Sequence, residues 1–314
     1  MVKPIQPVAG GTGQHLFRDL APGQVVRLQL VEPGINGAIV SLGGRLYRAV
    51  GLLPARQGQY FWAWVEKVGS EQITVRHIAP VQPGRDGVSA VDLARVLGLP
   101  PGAETEQVLR ELLRWGLPVD RETVLRLLAV GRALPQAGCE GFWPALVWLQ
   151  TRELPSRTGA LSKILSYLLG WPEAAPEGQE LLNQSGFRPG REQVLTLTLN
   201  GGERLQGELY VIIPGGGPEH GVGTRVVLHF RSGVGDDFWV VLGFEADGLT
   251  GRVVTDRETR AALFREKVSL LEEGLADLGY RVHPFAVETR RVNSVVDLLS
   301  GGEVAAYLPL DVRV

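Results

Sequence analysis

The residues able to do chemistry are few and scattered. Five histidines, His15, His77, His220, His229 and His283, are dispersed, never four apart and never beside the single cysteine, Cys139. Zinc draws three or four ligands from closely spaced Cys and His, and no such spacing or HExxH pattern occurs, so no metal site is expected. Cys139 stands before Gly141-Phe142-Trp143 without a nucleophile signature and reads as an inert thiol. Two glycine clusters, Gly10-Gly11-Thr12-Gly13 and Pro214-Gly215-Gly216-Gly217-Pro218, suggest phosphate cradles at first sight. Neither ends in Gly-Lys-Ser/Thr, and neither lies between a strand and a helix, where helix N-terminal amides would meet the anion. They read as a loose tail and a hairpin loop. Asp236, Asp237 and Asp247 fall in turn-like stretches, where acids are usually solvated.

The aromatic run Tyr60-Phe61-Trp62-Ala63-Trp64, with Arg45, Arg48, Arg56 and Arg76 near it in sequence, carries two readings. Exposed rings on a small barrel can stack on the bases of a single strand. Alternatively, alternate members fill the barrel and the rest dock on neighbouring structure, and the net charge of −2 favours this one. With no convergent acid, base and nucleophile, the sequence predicts no catalytic residues, no cofactor and no enzyme activity.

The elements that hold these residues divide the 314-residue chain by the period of its apolar positions. Residues 1–15, rich in Gly and Pro, predict a flexible tail without a readable signal peptide. Over 16–80 the period is two. Val26, Leu28 and Leu30 form one strand, Ala38–Leu42 and Arg45–Val50 a hairpin across Gly43-Gly44, and strands around Phe61–Val65 and Ile73–His77 follow. Five short strands joined by tight turns predict a small antiparallel β-barrel, since closure removes exposed edges. Pro80–Gly87 is a linker, and 88–185 reads as a helical domain of short helices. Asp120 is a good N-cap for its third helix, Pro144 is tolerated in the first turn of the fourth, and Ser156 can cap the fifth. A Leu-Pro element followed by a polar cap occurs at Leu117-Pro118-Val119-Asp120 and again at Leu154-Pro155-Ser156.

Gly186–Gly190 is a second linker, and strands resume over 190–314. Val194–Leu199 and Gly207–Ile213 flank an Asn200-Gly201-Gly202 turn, and Thr224–Phe230, Phe238–Phe244 and Leu249–Val254 follow. Thr255 and Glu258 have the spacing of a capping box ahead of a long helix. Its apolar stripe runs through Ala261, Phe264, Val268, Leu271, Leu275 and Leu278 to a stop at Gly279. Tyr280–Val287 reads as an edge strand because of Pro284. One short helix within Val292–Leu299 and a last strand within Val304–Val314 complete the pattern. The fold class expected is multidomain α+β: an N-terminal barrel, a central α-helical bundle, and a C-terminal antiparallel sheet with one long helix. One cysteine forbids an intramolecular disulfide and fits folding in a reducing compartment. No apolar run approaches bilayer length, so a soluble, cytoplasmic protein without membrane insertion is expected.

The C-terminal third carries a family resemblance. Phe238-Trp239-Val240-Val241-Leu242-Gly243-Phe244, a turn, Leu249-Thr250-Gly251-Arg252-Val253, the leucine-bearing helix, and then Leu278-Gly279-Tyr280-Arg281-Val282 resemble the C-terminal domain of flagellar hook-length control proteins. In that family the phrase is a hairpin, a helix in which leucines recur, and Leu-x-x-x-Gly into a strand. The barrel and the Leu-Pro helical region resemble the Gram-positive version. The family usually has a long Pro/Gln/Ser-rich tape ahead of this domain, where the present chain reads as folded and helical. The resemblance implies a non-enzymatic role in switching type III export from hook-type to filament-type substrates. The partner would be the cytoplasmic domain of the export-gate switch protein, with hook or hook-cap proteins as further partners. It also leaves open export of the chain through the flagellar apparatus. Tyr280, Val282 and Phe285 on the edge strand are the expected partner-binding residues. The alternative function is nucleic-acid binding through the barrel aromatics.

Overall fold

The structure, a computed structural model, describes residues 20–299 except 35–36, 43–44, 52–56, 59, 70–71, 79–88, 154–157, 172–174, 188–192, 201–205, 214–222, 233–235 and 246. The expected tail, the Gly43-Gly44 turn, Gly201-Gly202 of the next hairpin turn, the Ser156 cap, His15, His220, Arg56, both glycine clusters, most of both linkers and the last strand lie outside these residues. The chain divides into two compact units, 1–80 and 81–314.

In the first unit, β1 (Val25–Gly34), β2 (Gly37–Leu42), β3 (Arg45–Val50), β4 (Tyr60–Val68) and β5 (Ile73–Ile78) close a barrel in the order β1-β2-β3-β5-β4. Closure comes from the β1–β4 pairing, Val25 opposite Trp64 through Gln29 opposite Tyr60. It is completed by a short parallel contact of β3 with β5 at Ala49 and Val50. The period-two pattern dictates the interior: Leu28, Leu30, Val40, Phe61, Ala63, Val65, Ile73 and Val75 are buried together. Tyr60, Trp62 and Trp64 therefore stand on the outside of β4, half-buried or exposed.

The second unit begins with six helices: α1 (Ala90–Val96), α2 (Ala103–Arg114), α3 (Arg121–Arg132), α4 (Phe142–Leu149), α5 (Thr158–Leu168) and α6 (Ala175–Gln184). Ser89 and Asp92 form a reciprocal capping box on α1, and Asp120 caps α3 by accepting from the Thr123 amide at 2.8 Å. All eight residues of α4 are buried, so this helix, apolar all round, is the axis of the helical layer. Two-residue strands β6 (Arg152–Glu153) and β7 (Gly186–Phe187) pair across the layer.

A six-stranded sheet follows, made of β8 (Gln193–Asn200), β9 (Gln206–Ile213), β10 (Arg225–Ser232), β11 (Asp236–Glu245), β12 (Gly248–Thr255) and β13 (Ala286–Thr289), with α7 (Glu258–Asp277) between the last two strands. The order is β13-β12-β11-β10-β9-β8. All neighbours are antiparallel except β12 and β13, which are parallel because α7 crosses between them. One face, with Thr196, Tyr210, Val227 and Trp239 buried, meets the helical layer, where Tyr167 of α5 lies 6.5 Å from the Tyr210 ring. The opposite face carries α7 over β12 and β13, with Phe264 4.9 Å from the Phe238 ring. The helices and the sheet, read from sequence as two domains meeting near 188, both fall within one compact unit.

Two further contacts fasten this unit. Asn183 of α6 accepts from the Thr196 amide (2.7 Å) and donates to its carbonyl (2.8 Å), so a side chain replaces a neighbouring strand at the β8 edge. Arg114 of α2 donates to the carbonyls of Val296 (2.9 Å) and Leu299 (2.7 Å), around the 3₁₀ turn Val295–Leu298. That turn stands where a short helix was expected.

Three expectations about the C-terminal part are corrected. The helix cap is not the Thr255/Glu258 box, because Thr255 continues β12 opposite Phe238 and the N-cap falls on Arg257, whose side chain makes no capping bond. Glu258 instead holds Arg265 and Thr289. The stripe of α7 that turns to the sheet is Ala261, which is buried, with Phe264, Val268 and Leu275 half-buried, whereas Leu271 is 40% and Leu278 75% exposed. The edge strand is shorter and later than Tyr280–Val287. Only Val282 bridges Leu249 before β13 begins, because the Phe285 amide donates to the Glu272 carboxylate of α7 (2.6 Å).

Candidate functional site

Two places in the second unit gather groups that could act. The first lies on the helix-facing side of the sheet. Strand register sets Glu208 opposite His229 and Arg231 opposite Asp237. The side chains then link: His229 Nδ1 lies 2.8 Å from Glu208 Oε2, Arg231 Nη2 lies 2.9 Å from Glu208 Oε1, and His229 Nε2 lies 3.5 Å from Asp237 Oδ2. The imidazole also stacks flat on Trp239 with ring centres 3.8 Å apart. Glu208 and His229 are buried. Burial works against the imidazolium, yet hydrogen bonding to Asp237 and Glu208 outweighs it and holds His229 above its usual value. The same contact, ahead of the opposing effect of burial, holds Asp237 below the usual carboxylate range. Burial pushes the neighbouring Tyr210 phenol well up.

A cleft of about 480 Å³ opens beside this network, with Asp237, Trp239 and Thr255 on its sheet wall and Cys139, Glu140 and Arg291 opposite. Arg291 and Glu140 pair on that opposite wall at 2.8 Å. Gly141, at φ +78°, sits so close to Asn293 that an added Cβ would lie 2.8 Å from the Asn293 Cβ, which keeps these walls in register. Glu208 engages Nδ1 of His229, while Nε2 faces the Asp237 carboxylate at 3.5 Å. The acids contact different ring nitrogens and do not converge on a point. Among the described residues no group of three or more His, Cys, Asp or Glu could hold a metal ion. What the network can do is store a proton and balance charge inside the fold.

The second place is the entry to β13. Tyr280 is 46% exposed and meets Phe244 edge-on at 6.0 Å. With Leu249 and Arg281 these two line a groove of about 390 Å³. Of the expected partner-binding residues, Tyr280 lines this groove and Val282 bridges its wall residue Leu249. Phe285 instead packs over Gly251, whose added Cβ would lie 2.3 Å from its ring. His283 sits 3.7 Å from Asp247 at the same end.

Sequence reading missed the network because Glu208, His229 and Asp237 stand on three different strands, whose register the sequence does not give, and Asp237 reads as a solvated turn acid. The signal lay in alternation: Glu208 shares a face with Tyr210 and Ile212, and His229 with Val227. A polar residue on an apolar strand face is the informative exception. On the barrel, Trp62 pairs with Arg27 and Trp64 with Arg76, while Arg27 lies over the Tyr60 ring at 4.8 Å. The chain matches no protein-family model, no curated protein and no solved structure.

Proposed function

We propose that this is a non-enzymatic flagellar hook-length control protein whose C-terminal part switches type III export by docking on the cytoplasmic domain of the export-gate switch protein. The observation that carries this reading is the order β10–β11–β12–α7–β13, which ends in a strand paired on one side only and entered through the Tyr280 groove. It supports the resemblance found in the hairpin, the leucine-bearing helix and the Leu278-Gly279-Tyr280 passage. An edge strand offers backbone groups to an incoming strand, and a groove beside it takes an apolar side chain. Pro284 lies before β13, so it removes no donor from β13 itself. Among the described residues no helix is long and apolar enough to cross a membrane, which suits action from the cytoplasmic side of the gate. Hook or hook-cap proteins are further partners in this reading.

The test is titration of the isotope-labelled gate domain with the full chain, followed by amide chemical shifts. A small transient interface is expected, with micromolar affinity. Saturable shifts that weaken in Tyr280→Ala are the expected result. A flat titration at hundreds of micromolar would sink the reading.

A second reading rests on the barrel, where Arg27, Trp62, Trp64 and Arg76 are cross-strand neighbours, an arrangement suited to stacking on single-stranded nucleic acid. Retention on a single-stranded column that falls steeply with salt would favour it, since phosphate contacts release counterions.

A further inference from the structure

The outward flank of α7 is rich in leucine without a neighbour among the described residues to explain it. Leu263 is 58% exposed, Leu270 62%, Leu271 40% and Leu278 75%, on a helix in which only Ala261 is fully buried. At 100° per residue these leucines share one flank, beside the stripe that packs on the sheet. Gly274 lies among them, and a Cβ built there would meet no atom within 4 Å. Glycine destabilises a helix interior relative to alanine, and nothing among the described residues requires it here. A second helix backbone approaching at that point would.

The four leucines are symmetric about a point between Leu270 and Leu271. Charge along α7 is graded as well. Its first ten residues carry Arg260, Arg265 and Lys267 against Glu258 and Glu266, and its last ten carry Glu272, Glu273 and Asp277 with no base. We infer that the occupant of this flank is a second copy of the chain, with two α7 helices packed antiparallel about a two-fold axis at Leu270/Leu271. That pairing sets Leu263 against the other copy's Leu278, Leu270 against Leu271, and Lys267 level with Gly274. The basic half of each helix then lies along the acidic half of the other, and the helix dipoles oppose. An interface of this kind is self-complementary, as a two-fold dimer requires. Parallel pairing would place like charge beside like charge and leave the leucine symmetry unused.

The test uses the full chain. Sedimentation should show a reversible dimer. Leu270→Glu should raise its dissociation constant at least about tenfold while leaving the melting temperature of the dilute monomer nearly unchanged, since the residue is exposed in the single chain. In a Cys139→Ser background, Leu270→Cys should cross-link two copies on mild oxidation. Leu263→Cys should not, because the two Leu263 positions would be about 22 Å apart along the antiparallel pair. A chain that stays monomeric at hundreds of micromolar overturns the inference, as does cross-linking through both positions. If Leu270→Glu abolished export-gate binding in a chain that never dimerised, the flank would belong to that partner and not to a second copy.

Discussion

His229 is held by two carboxylates of different exposure, and its protonation couples to folding with a definite sign. Its folded pKa is raised, so its contribution is fully present below about pH 6.5, the ordinary imidazole value, and is lost as pH climbs through the raised value. Asp237 is lowered, so its contribution is present above about pH 3.9 and lost as pH falls through the lowered value. Protonated His229 also balances the network, with Arg231 and the imidazolium against Glu208 and Asp237. Stability should therefore peak between these limits. His229→Gln should cost about 1.5–3 kcal/mol near pH 6, where it removes a hydrogen-bonded charge, and flatten the decline on the alkaline side. Denaturant midpoints from pH 4 to 9 for the two proteins check this, and parallel profiles would show that His229 does not titrate in the fold.

The two edges of the six-stranded sheet are managed differently. At β8, Asn183 meets both backbone groups of Thr196, while Gln179 donates to the same carbonyl at 3.1 Å. Asn183→Ala should cost about 1–3 kcal/mol and speed hydrogen exchange at the Thr196 amide, with little change at the β12 amides. Packing separates the helices as sharply. Leu146→Ala, in the wholly buried α4, should cost about 2–5 kcal/mol, whereas Leu271→Ala on the open flank of α7 should cost under about 1. Chemical denaturation of the two variants measures the contrast. The barrel and α3 were legible in the sequence, because period-two alternation and the Asp120 cap are local signals. The α7 stripe was not, because its leucines fill two adjacent flanks and only tertiary packing decides which is buried. The Thr255/Glu258 spacing misled for a related reason: strand pairing with Phe238 captured Thr255 and displaced the cap.

At the scale of the molecule, residues 1–80 and 81–314 are the two compact units, and they should melt as two calorimetric transitions. The segment 81–314 should fold by itself. Residues 190–314 alone should not, because Tyr210, Val227 and Trp239 are covered by the helical layer and would be bared. Strong binding of an apolar dye by 190–314, and none by 81–314, is the expected pattern. A well-dispersed spectrum from 190–314 would show that the helices are dispensable. The Arg114 clasp on Leu299 also joins groups 185 residues apart in the chain. On a translating ribosome the barrel can close early, but α2 cannot reach its clasp until Leu299 has emerged. At ordinary elongation rates that interval is roughly 10–40 s. During it the helices are nascent and unclasped, an interval in which a chaperone would meet an incompletely locked chain.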